Sequence, residues 1–156
     1  MKVYRLAKDK PGRYRADDLS GNGAALAGGR WNPRGTPVLY TCANASTAVL
    51  ETRVHATGIL PLKDLFLVTI EVPDELIRVA WEPELPPDWN RSGVLPRSTI
   101  EIGQTWIAGA NALAMKVPSV VCPTDFNYIL NPRHPDMRAV EVAAVVAFAL
   151  DPRLFR

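Results

Sequence analysis

The sequence predicts an α+β fold in which short strands form a mostly antiparallel sheet with a few flanking helices. Short apolar runs with alternating or β-branched residues recur along the chain, two longer segments carry helix start signals, and prolines interrupt the remainder. The length of 156 residues fits one compact domain, 1–156, and a composition of 47% hydrophobic and 22% charged residues is ordinary for a soluble globular core.

Charge and cysteine content exclude several classes of protein. The net charge is +2, with 18 basic residues scattered among 16 acidic ones, which predicts no nucleic-acid or membrane surface. Cys42 and Cys122 lie in or beside apolar runs, and no Cys/His spacing matches a metal site, so we expect free thiols and no metal. The chain begins without an apolar signal region and has no run of about 20 apolar residues. We therefore expect a cytoplasmic protein.

The first 23 residues predict little regular structure. Alternation from Val3 to Leu6 predicts a short strand, and the charged segment from Lys8 to Ser20 predicts a loop. The Gly21-Asn22-Gly23 sequence resembles a phosphate-binding loop, but no clear strand precedes it, so a plain turn is favoured.

The stretch from Gly28 to Glu51 organises the rest of the sequence. Two glycines precede Arg30, so main-chain N–H groups and a guanidinium can approach the same ligand. Trp31 is interpreted as an apolar anchor of this turn, and the strand from Val38 to Cys42 carries Tyr40. A loop arginine is usually a solvated charge and a strand tyrosine is more often a core residue, so both roles stay open at this point.

A helix is predicted next, with Asn44 or Ser46 as its N-cap and an end near Thr57. The stripe predicted to face the core is Thr47, Leu50 and Val54. Glu51 and His55 lie one turn apart on the adjacent stripe, where both can edge a cleft. A helical glutamate usually faces solvent, and a single histidine is more often structural than catalytic, so the sequence leaves both open.

The second half of the chain predicts a strand from Leu65 to Val72 and a long surface connection from Ile77 to Pro96. A capping-box spacing at Ser98 opens a helix to about Met115. Its predicted core positions are Ile102, Trp106, Ala110 and Leu113. An edge or bent strand is predicted from Val117 to Pro123, and the apolar run from Val140 to Leu150 predicts a central strand buried on both faces.

Two polar positions lie between these last strands. Ser119 is most simply a tolerated small polar residue within the edge strand. The segment from Asn127 to Pro135 cannot be a long helix because of its prolines, and Asn131-Pro132 predicts a turn.

Several separated motifs together resemble those of the RES-domain toxins, a family named for an arginine, a glutamate and a serine. They are Gly28-Gly29-Arg30-Trp31-Asn32-Pro33, Pro37-Val38-Leu39-Tyr40, Ala48-Val49-Leu50-Glu51, Val117-Pro118-Ser119 and Asn127-Tyr128-Ile129-Leu130-Asn131-Pro132. The resemblance implies the toxin of a bacterial toxin–antitoxin pair, a split sheet similar to that of ADP-ribosyltransferases, and NAD+ as a substrate rather than a bound cofactor. The segment from Pro73 to Arg97 carries little family signal.

The chemistry of NAD+ cleavage agrees with the residues at the motif positions. Breaking the nicotinamide–ribose bond builds positive charge on the ribose, which Glu51 can stabilise, while the planar fork of Arg30 can bind phosphate. Tyr40 can stack on nicotinamide, and Ser119 can hydrogen-bond the ribose or position the acceptor. The candidate catalytic residues are Glu51, Arg30 and Ser119, and the candidate NAD+-binding residues are Arg30, Tyr40, Ser119, His55 and Asn127.

The sequence does not choose the acceptor of ADP-ribose. Water or phosphate as acceptor would deplete NAD+, whereas a protein side chain would make the chain a protein ADP-ribosyltransferase. An alternative is a non-catalytic nucleotide-binding module, which would keep Arg30 for phosphate but have no use for Glu51 near the ribose. The resemblance also implies a DNA-binding antitoxin, and we expect it to occlude the cleft and to make the DNA contacts, because this chain has no helix-turn-helix signal.

Overall fold

The computed structural model describes residues 1–9, 11–12, 14–55 and 64–155. The strands of its sheet are Lys2–Lys8 (β1), Leu39–Cys42 (β2), Leu65–Glu71 (β3), Ala114–Pro118 (β4), Phe126–Leu130 (β5) and Glu141–Phe148 (β6). The α-helices are Asn22–Ala27 (α1), Ala45–His55 (α2), Asp74–Arg78 (α3) and Arg97–Gly109 (α4), and short 3-10 helices span Pro135–Ala139 and Pro152–Phe155. Within the described ranges, no helix is long and apolar enough to cross a membrane.

The six strands form one sheet in the order β4-β5-β2-β1-β3-β6, and every neighbouring pair is antiparallel. This confirms the predicted fold class. Strand β1 pairs with β3 along its whole length, from Lys2 to Lys8, but its register with β2 consists of Tyr4 opposite Cys42. The two halves of the sheet therefore separate beyond that pair, and both strands are left free to line a cleft.

Two clusters of buried side chains stabilise the sheet and its helices. One contains Val3, Ile70 and Leu130 among others, and the second is built around Trp31 and Trp106. Their burial is favourable by about 1.5–3 kcal/mol for each large apolar side chain.

Helix α4 packs directly on the backbone of the glycine-rich turn at Trp31. A Cβ atom built at Gly103 would lie 1.8 Å from the Trp31 carbonyl oxygen. Only glycine allows this approach, so α4 holds the turn that carries Arg30. Trp31 is 3% exposed, which confirms its predicted role as an anchor.

Helix α2 begins directly after Asn44, and its predicted end near Thr57 lies outside the described residues. The carboxylate of Asp125 holds its N-terminus. It accepts hydrogen bonds from Asn44 Nδ2 at 2.8 Å, from the Phe126 N–H at 2.9 Å and from the Thr47 hydroxyl. Partial burial acts to raise the pKa of Asp125, but the three hydrogen bonds together outweigh it and keep that pKa below its usual range. The link fixes α2 against the start of β5.

The predicted core stripe of α2 was wrong at two of its three positions. Leu50 is 37% exposed and Val54 is 54% exposed, whereas Thr47 and Ala48 are buried. The helix therefore packs through its first turn, where Asp125 holds it, and its later turns remain open to the cleft.

Helix α4 is shorter than predicted. Ala110 adopts a left-handed conformation with φ of 46° and closes the helix, so the predicted core residue Ala110 is exposed. Leu113 is buried directly before β4 instead, and Met115 is buried within that strand. The predicted capping box is also absent, because Ser98 donates to Asp88 Oδ1 at 2.7 Å.

The apolar run from Val140 to Leu150 was assigned to the wrong place in the sheet. It forms β6, which is an edge strand paired with β3, and Val145 and Val146 are 41% and 58% exposed. An apolar run alone does not distinguish a central strand from an edge strand, which has a neighbour on only one side. The predicted edge or bent strand from Val117 to Pro123 was confirmed only in part, because β4 is the other edge of the sheet but ends at Pro118, and residues 119–123 are not in a strand.

Two α-helices, one strand and both short 3-10 helices were not predicted. Residues 22–27 form helix α1 rather than a plain turn, residues 74–78 form helix α3, and residues 126–130 form strand β5. The predicted turn at Asn131 was confirmed by a hydrogen bond from the His134 N–H to the Asn131 carbonyl. Residues 79–96 form the predicted long connection, which covers the edge of β4 through backbone bonds of Trp81.

Candidate active site

A cleft of about 1050 Å³ opens where β1 and β2 separate. Its walls come from both strands, from helix α2, from the glycine-rich turn and from the loop 92–95. The sequence-predicted residues that line it are Arg30, Tyr40, Glu51, His55 and Asn127. Ser119 is not among the lining residues, because it is fully buried behind Glu51.

The Glu51 carboxylate lies at the centre of a defined hydrogen-bond arrangement. Its Oε1 atom accepts one bond from the Ser119 hydroxyl at 2.8 Å and another from Asn127 Nδ2 at 2.8 Å. Its Oε2 atom lies 3.8 Å from His55 Nε2. The Glu51 side chain is 22% exposed and that of His55 is 79% exposed. One carboxylate oxygen is therefore fixed by the protein, and the other faces the cleft and the exposed imidazole.

Ser119 links Glu51 to the chain that follows β4. Its oxygen accepts hydrogen bonds from the N–H groups of Val121 and Cys122, at 3.2 and 3.1 Å, while its hydrogen is donated to Glu51. With these bonds the hydroxyl has its usual full set of partners. In this arrangement Ser119 holds Glu51 and does not face the cleft.

Asn127 on strand β5 holds Glu51, and one of its side-chain atoms lacks a hydrogen-bond partner in the described residues. Its Oδ1 atom is buried without a hydrogen-bond partner in the described residues. A buried acceptor left unpaired costs about 1–3 kcal/mol. The side chain keeps this orientation because the opposite one would bring an oxygen against the Glu51 carboxylate.

Arg30 projects from the glycine-rich turn towards the connection 79–96. Its guanidinium donates to the carbonyl oxygens of Trp89 at 2.6 Å and Arg91 at 3.1 Å. None of the ion pairs found in the described part of the chain includes Arg30. The group is held in position by neutral acceptors, so its positive charge and its remaining N–H donors stay available to an anion.

Arg5 on β1 is a second cleft arginine that the sequence reasoning missed. It donates to the Asp18 carbonyl oxygen at 3.1 Å, and it too takes part in no ion pair within the described ranges. Burial lowers the pKa of Arg5, and the nearby charge of Asp18 opposes that effect. A partly buried cation without a carboxylate in contact is costly unless an anion binds there. Arg5 is the charged residue of the alternating pattern that predicts β1, and nothing in that pattern distinguishes it from a solvent-facing arginine.

The turn around Arg30 is fixed by Tyr40 and Asn32. The Tyr40 hydroxyl donates to Asn32 Oδ1 at 2.8 Å and accepts from the Trp31 N–H at 3.0 Å. A Cβ atom at Gly29 would lie 2.5 Å from that hydroxyl, so glycine is required there. Burial raises the pKa of Tyr40, which keeps the phenol neutral, and its hydroxyl is occupied by the Trp31 N–H and by Asn32 Oδ1. What Tyr40 offers a ligand is its ring.

The electrostatic effect of Glu51 reaches the floor of the cleft. Burial raises the pKa of the Cys42 thiol to about 12, and the charges of Glu51 and Asp125 contribute to the shift. Cys42 and Cys122 are free thiols, as predicted. Among the described residues, no group of three or more His, Cys, Asp and Glu side chains is placed to hold a metal ion.

Comparisons with known proteins agree with the motifs and the fold. The chain is 40% identical over 157 residues to the Prs ADP-ribosylating toxin of a Sphingobium species, covering 98% of this chain and 96% of the relative. It is 36% identical over 155 residues to Toxin Res of Yersinia enterocolitica, with 99% of both chains covered. A chain in the crystal structure of the M. tuberculosis MbcT-MbcA toxin-antitoxin complex shares its fold, with a TM-score of 0.66, 20% identity, and coverage of 99% of this chain and 86% of that one.

A family model provides the assignment. The model of the RES domain matches residues 2–151, nearly the whole chain. The chain therefore belongs to the RES domain family, which confirms the resemblance found in its separated motifs.

Proposed function

We propose that this chain is the toxin of a toxin–antitoxin pair and that it cleaves the nicotinamide–ribose bond of NAD+. The observation that carries the proposal is the shared cleft, in which a carboxylate fixed by two neutral donors lies with two arginines that have no carboxylate partner in the described structure. One group suits a cationic transition state, and the others suit a diphosphate. The name of the Sphingobium relative supports both ADP-ribosyl transfer and the toxin role, and the name of the Yersinia relative supports the toxin role.

Glu51 has the central role in this mechanism. As the bond to nicotinamide breaks, its electron pair leaves with neutral nicotinamide and positive charge develops on the ribose. The free oxygen of Glu51 faces the cleft, where it can stabilise that charge and accept a hydrogen bond from a ribose hydroxyl. Ser119 and Asn127 act as positioning residues, because both hold the other oxygen.

The two arginines provide phosphate binding in the proposal. Arg30 is oriented by two backbone carbonyls before any substrate arrives, so little side-chain freedom is lost on binding. Arg5 lines the same cleft from β1, and it forms no ion pair with a carboxylate of the described residues. Tyr40 offers the face of its ring for nicotinamide, since its hydroxyl is occupied.

The test is mass analysis of NAD+ and of total protein after incubation with the purified chain. Glu51→Gln keeps an acceptor for Ser119 and Asn127 but removes the charge, so we expect the fold to persist and turnover to be lost. Glu101→Gln is the matched control, because Glu101 is an exposed glutamate that pairs with Arg97 away from the cleft. Turnover by Glu51→Gln at the wild-type rate would refute the mechanism. Binding of NAD+ without any turnover would favour a nucleotide-binding module.

The acceptor is decided by three products in the same experiment. Water yields free ADP-ribose, phosphate yields a phosphorylated ADP-ribose, and a protein acceptor gains the mass of one ADP-ribosyl group. The Sphingobium relative is named for ADP-ribosylation of Prs, so purified Prs is the first protein to add. Phosphate-free and phosphate-containing buffers separate the other two outcomes.

An antitoxin partner follows from the toxin role, and we propose that it makes the DNA contacts and covers the cleft. An acidic side chain or C-terminal carboxylate of the antitoxin can pair with Arg30 in place of substrate phosphate. The antitoxin should then bind the Glu51→Gln variant more weakly when NAD+ is present and more weakly in Arg30→Ala. Calorimetric titration tests this, and simultaneous binding of both ligands with unchanged affinities would contradict occlusion.

A further inference from the structure

The cleft extends from Glu51 along strand β2. Asn127, which holds Glu51, pairs with Cys42 across the sheet. Tyr40 lies two residues before Cys42 and therefore on the same face of the strand, and it lines the same cleft. Tyr40 is the next side chain along the cleft from the reacting end.

Beyond Tyr40 the cleft reaches Arg30 and then the loop 92–95. The Tyr40 hydroxyl contacts the backbone of the turn that carries Arg30. Arg30 in turn donates to the carbonyls of Trp89 and Arg91, the latter directly before the loop. The order along the cleft is thus carboxylate, aromatic ring, guanidinium and loop.

The loop 92–95 has a fixed base and an exposed apolar tip. Ser98 donates to Asp88 Oδ1 at 2.7 Å and joins the two ends of the segment, and Trp89 packs against the second buried cluster. At the tip, Val94 and Leu95 are each 50% exposed, and both line the cleft. The loop carries no charged side chain among Ser92, Gly93, Val94 and Leu95.

We propose that the loop 92–95 is an adenine-binding subsite, in which Val94 and Leu95 contact the face of the base. The inference rests on the proposed function, because it concerns the end of NAD+ that does not react. With the reacting ribose at Glu51 and the diphosphate at Arg30, the adenosine half extends to the loop. Adenine offers flat faces of low polarity, which aliphatic side chains cover favourably.

The subsite explains how the cleft selects a dinucleotide. A mononucleotide that carries the same nicotinamide–ribose bond has one phosphate and no adenosine, so contacts at the loop favour NAD+ in addition to any difference in phosphate binding. Contacts at the loop add affinity that is the same before and during bond cleavage, so they lower KM and leave kcat unchanged.

The test compares NAD+ with nicotinamide mononucleotide, which has the scissile bond and one phosphate but no adenosine. The variant is the double substitution Val94→Ser and Leu95→Ser. Its control is Val79→Ser, since Val79 is 63% exposed in the same connection and does not line the cleft. We expect KM for NAD+ to rise about tenfold in the double variant, because two half-buried aliphatic contacts are lost. The kcat for NAD+, and both constants for the mononucleotide, should not change.

An unchanged KM for NAD+, or an equal loss with both nucleotides, would overturn the adenine subsite. If the wild-type protein does not turn over the mononucleotide, its inhibition constant against NAD+ cleavage replaces its KM. Failure of the wild-type protein to release nicotinamide from NAD+ would instead refute the proposed function. If the double variant binds the antitoxin more weakly but has an unchanged KM for NAD+, the loop is a contact for the antitoxin and the adenine subsite is overturned.

Discussion

Replacement of Asn127 by leucine separates the positioning of Glu51 from the stability of the fold. Asn127→Leu removes the Nδ2 bond to Glu51, a bond to a charged group that contributes about 1.5–3 kcal/mol. It also removes the buried, unpaired Oδ1 atom, and the loss of that desolvation penalty stabilises the fold by about 1–3 kcal/mol. The two effects oppose each other and their central values nearly cancel, so the free energy of unfolding should change by about 1 kcal/mol or less.

Activity should respond differently, because of the described residues only Ser119 is left to donate a hydrogen bond to Glu51 Oε1. A carboxylate displaced from its productive position by about 1 Å can lower the rate about 100-fold. We therefore expect kcat for nicotinamide release to fall about 10- to 100-fold with little change in KM. The melting temperature should stay within about 4 °C of the wild-type value.

The assay measures nicotinamide release and thermal unfolding on the same preparations. Asn111→Leu is the matched control, because Asn111 is exposed and does not line the cleft. An Asn127→Leu variant with a kcat within about twofold of wild type would refute the positioning argument. A loss of activity that follows a large fall in melting temperature would assign Asn127 a structural role.

Four further predictions follow from the cleft and its supports. Arg30→Lys should raise KM for NAD+ because lysine lacks the planar fork of arginine, and Arg30→Ala should weaken NAD+ binding by about 2–5 kcal/mol. Equal NAD+ affinities of Arg30→Lys and the wild-type protein in calorimetry would contradict bidentate recognition of phosphate. Arg5→Leu should weaken NAD+ binding, but the variant should unfold at the same or a higher temperature than the wild type. The reason is that the substitution removes a partly buried cation that contacts no carboxylate of the described residues. A lower melting temperature with unchanged NAD+ binding would show that Arg5 is purely structural. At pH 8 iodoacetamide should modify Cys122 before Cys42, whose pKa near 12 keeps it in the unreactive thiol form; peptide mapping that finds Cys42 modified first would contradict this. Asp125→Asn should lower the melting temperature at neutral pH. The difference from wild type should shrink as pH falls through the depressed pKa of Asp125, because the wild-type carboxylate then becomes protonated. A difference in melting temperature that does not depend on pH would show that the charge of Asp125 does not stabilise the fold.

The sequence predicted the parts of the site that are carried by local motifs. Arg30, Tyr40 and Glu51 come from one short stretch, and the structure brings all three to the cleft. The glycines of that stretch have a physical reason, because Gly29 leaves room for the Tyr40 hydroxyl. Asn32, however, was interpreted only as part of a turn, although its side chain donates to the carbonyls of Ala24 and Thr36.

Ser119 and Asn127 were predicted as candidate site residues, but their bonds to Glu51 join distant segments and could not be predicted from the sequence. Asn127 lies 76 residues from Glu51 in the chain, and Ser119 lies 68 residues from it, so helical or strand periodicity contains no sign of either bond. Arg5 becomes a cleft residue only because β1 and β2 separate beyond Tyr4. The same limit explains the error at β6, since burial of a strand depends on its neighbours and not on its own residues.

The structure also indicates why the carboxylate and the guanidinium groups of the cleft are kept apart. A glutamate paired with arginine would have much of its charge neutralised, and it would stabilise a ribose cation less well. Glu51 is held instead by the hydroxyl of Ser119 and the amide of Asn127, which orient it without cancelling its charge. Arg30 is held by carbonyl oxygens and likewise remains free to bind an anion. Neutral partners therefore preserve both charges for a substrate that carries negative charge on its phosphates and develops positive charge on its ribose.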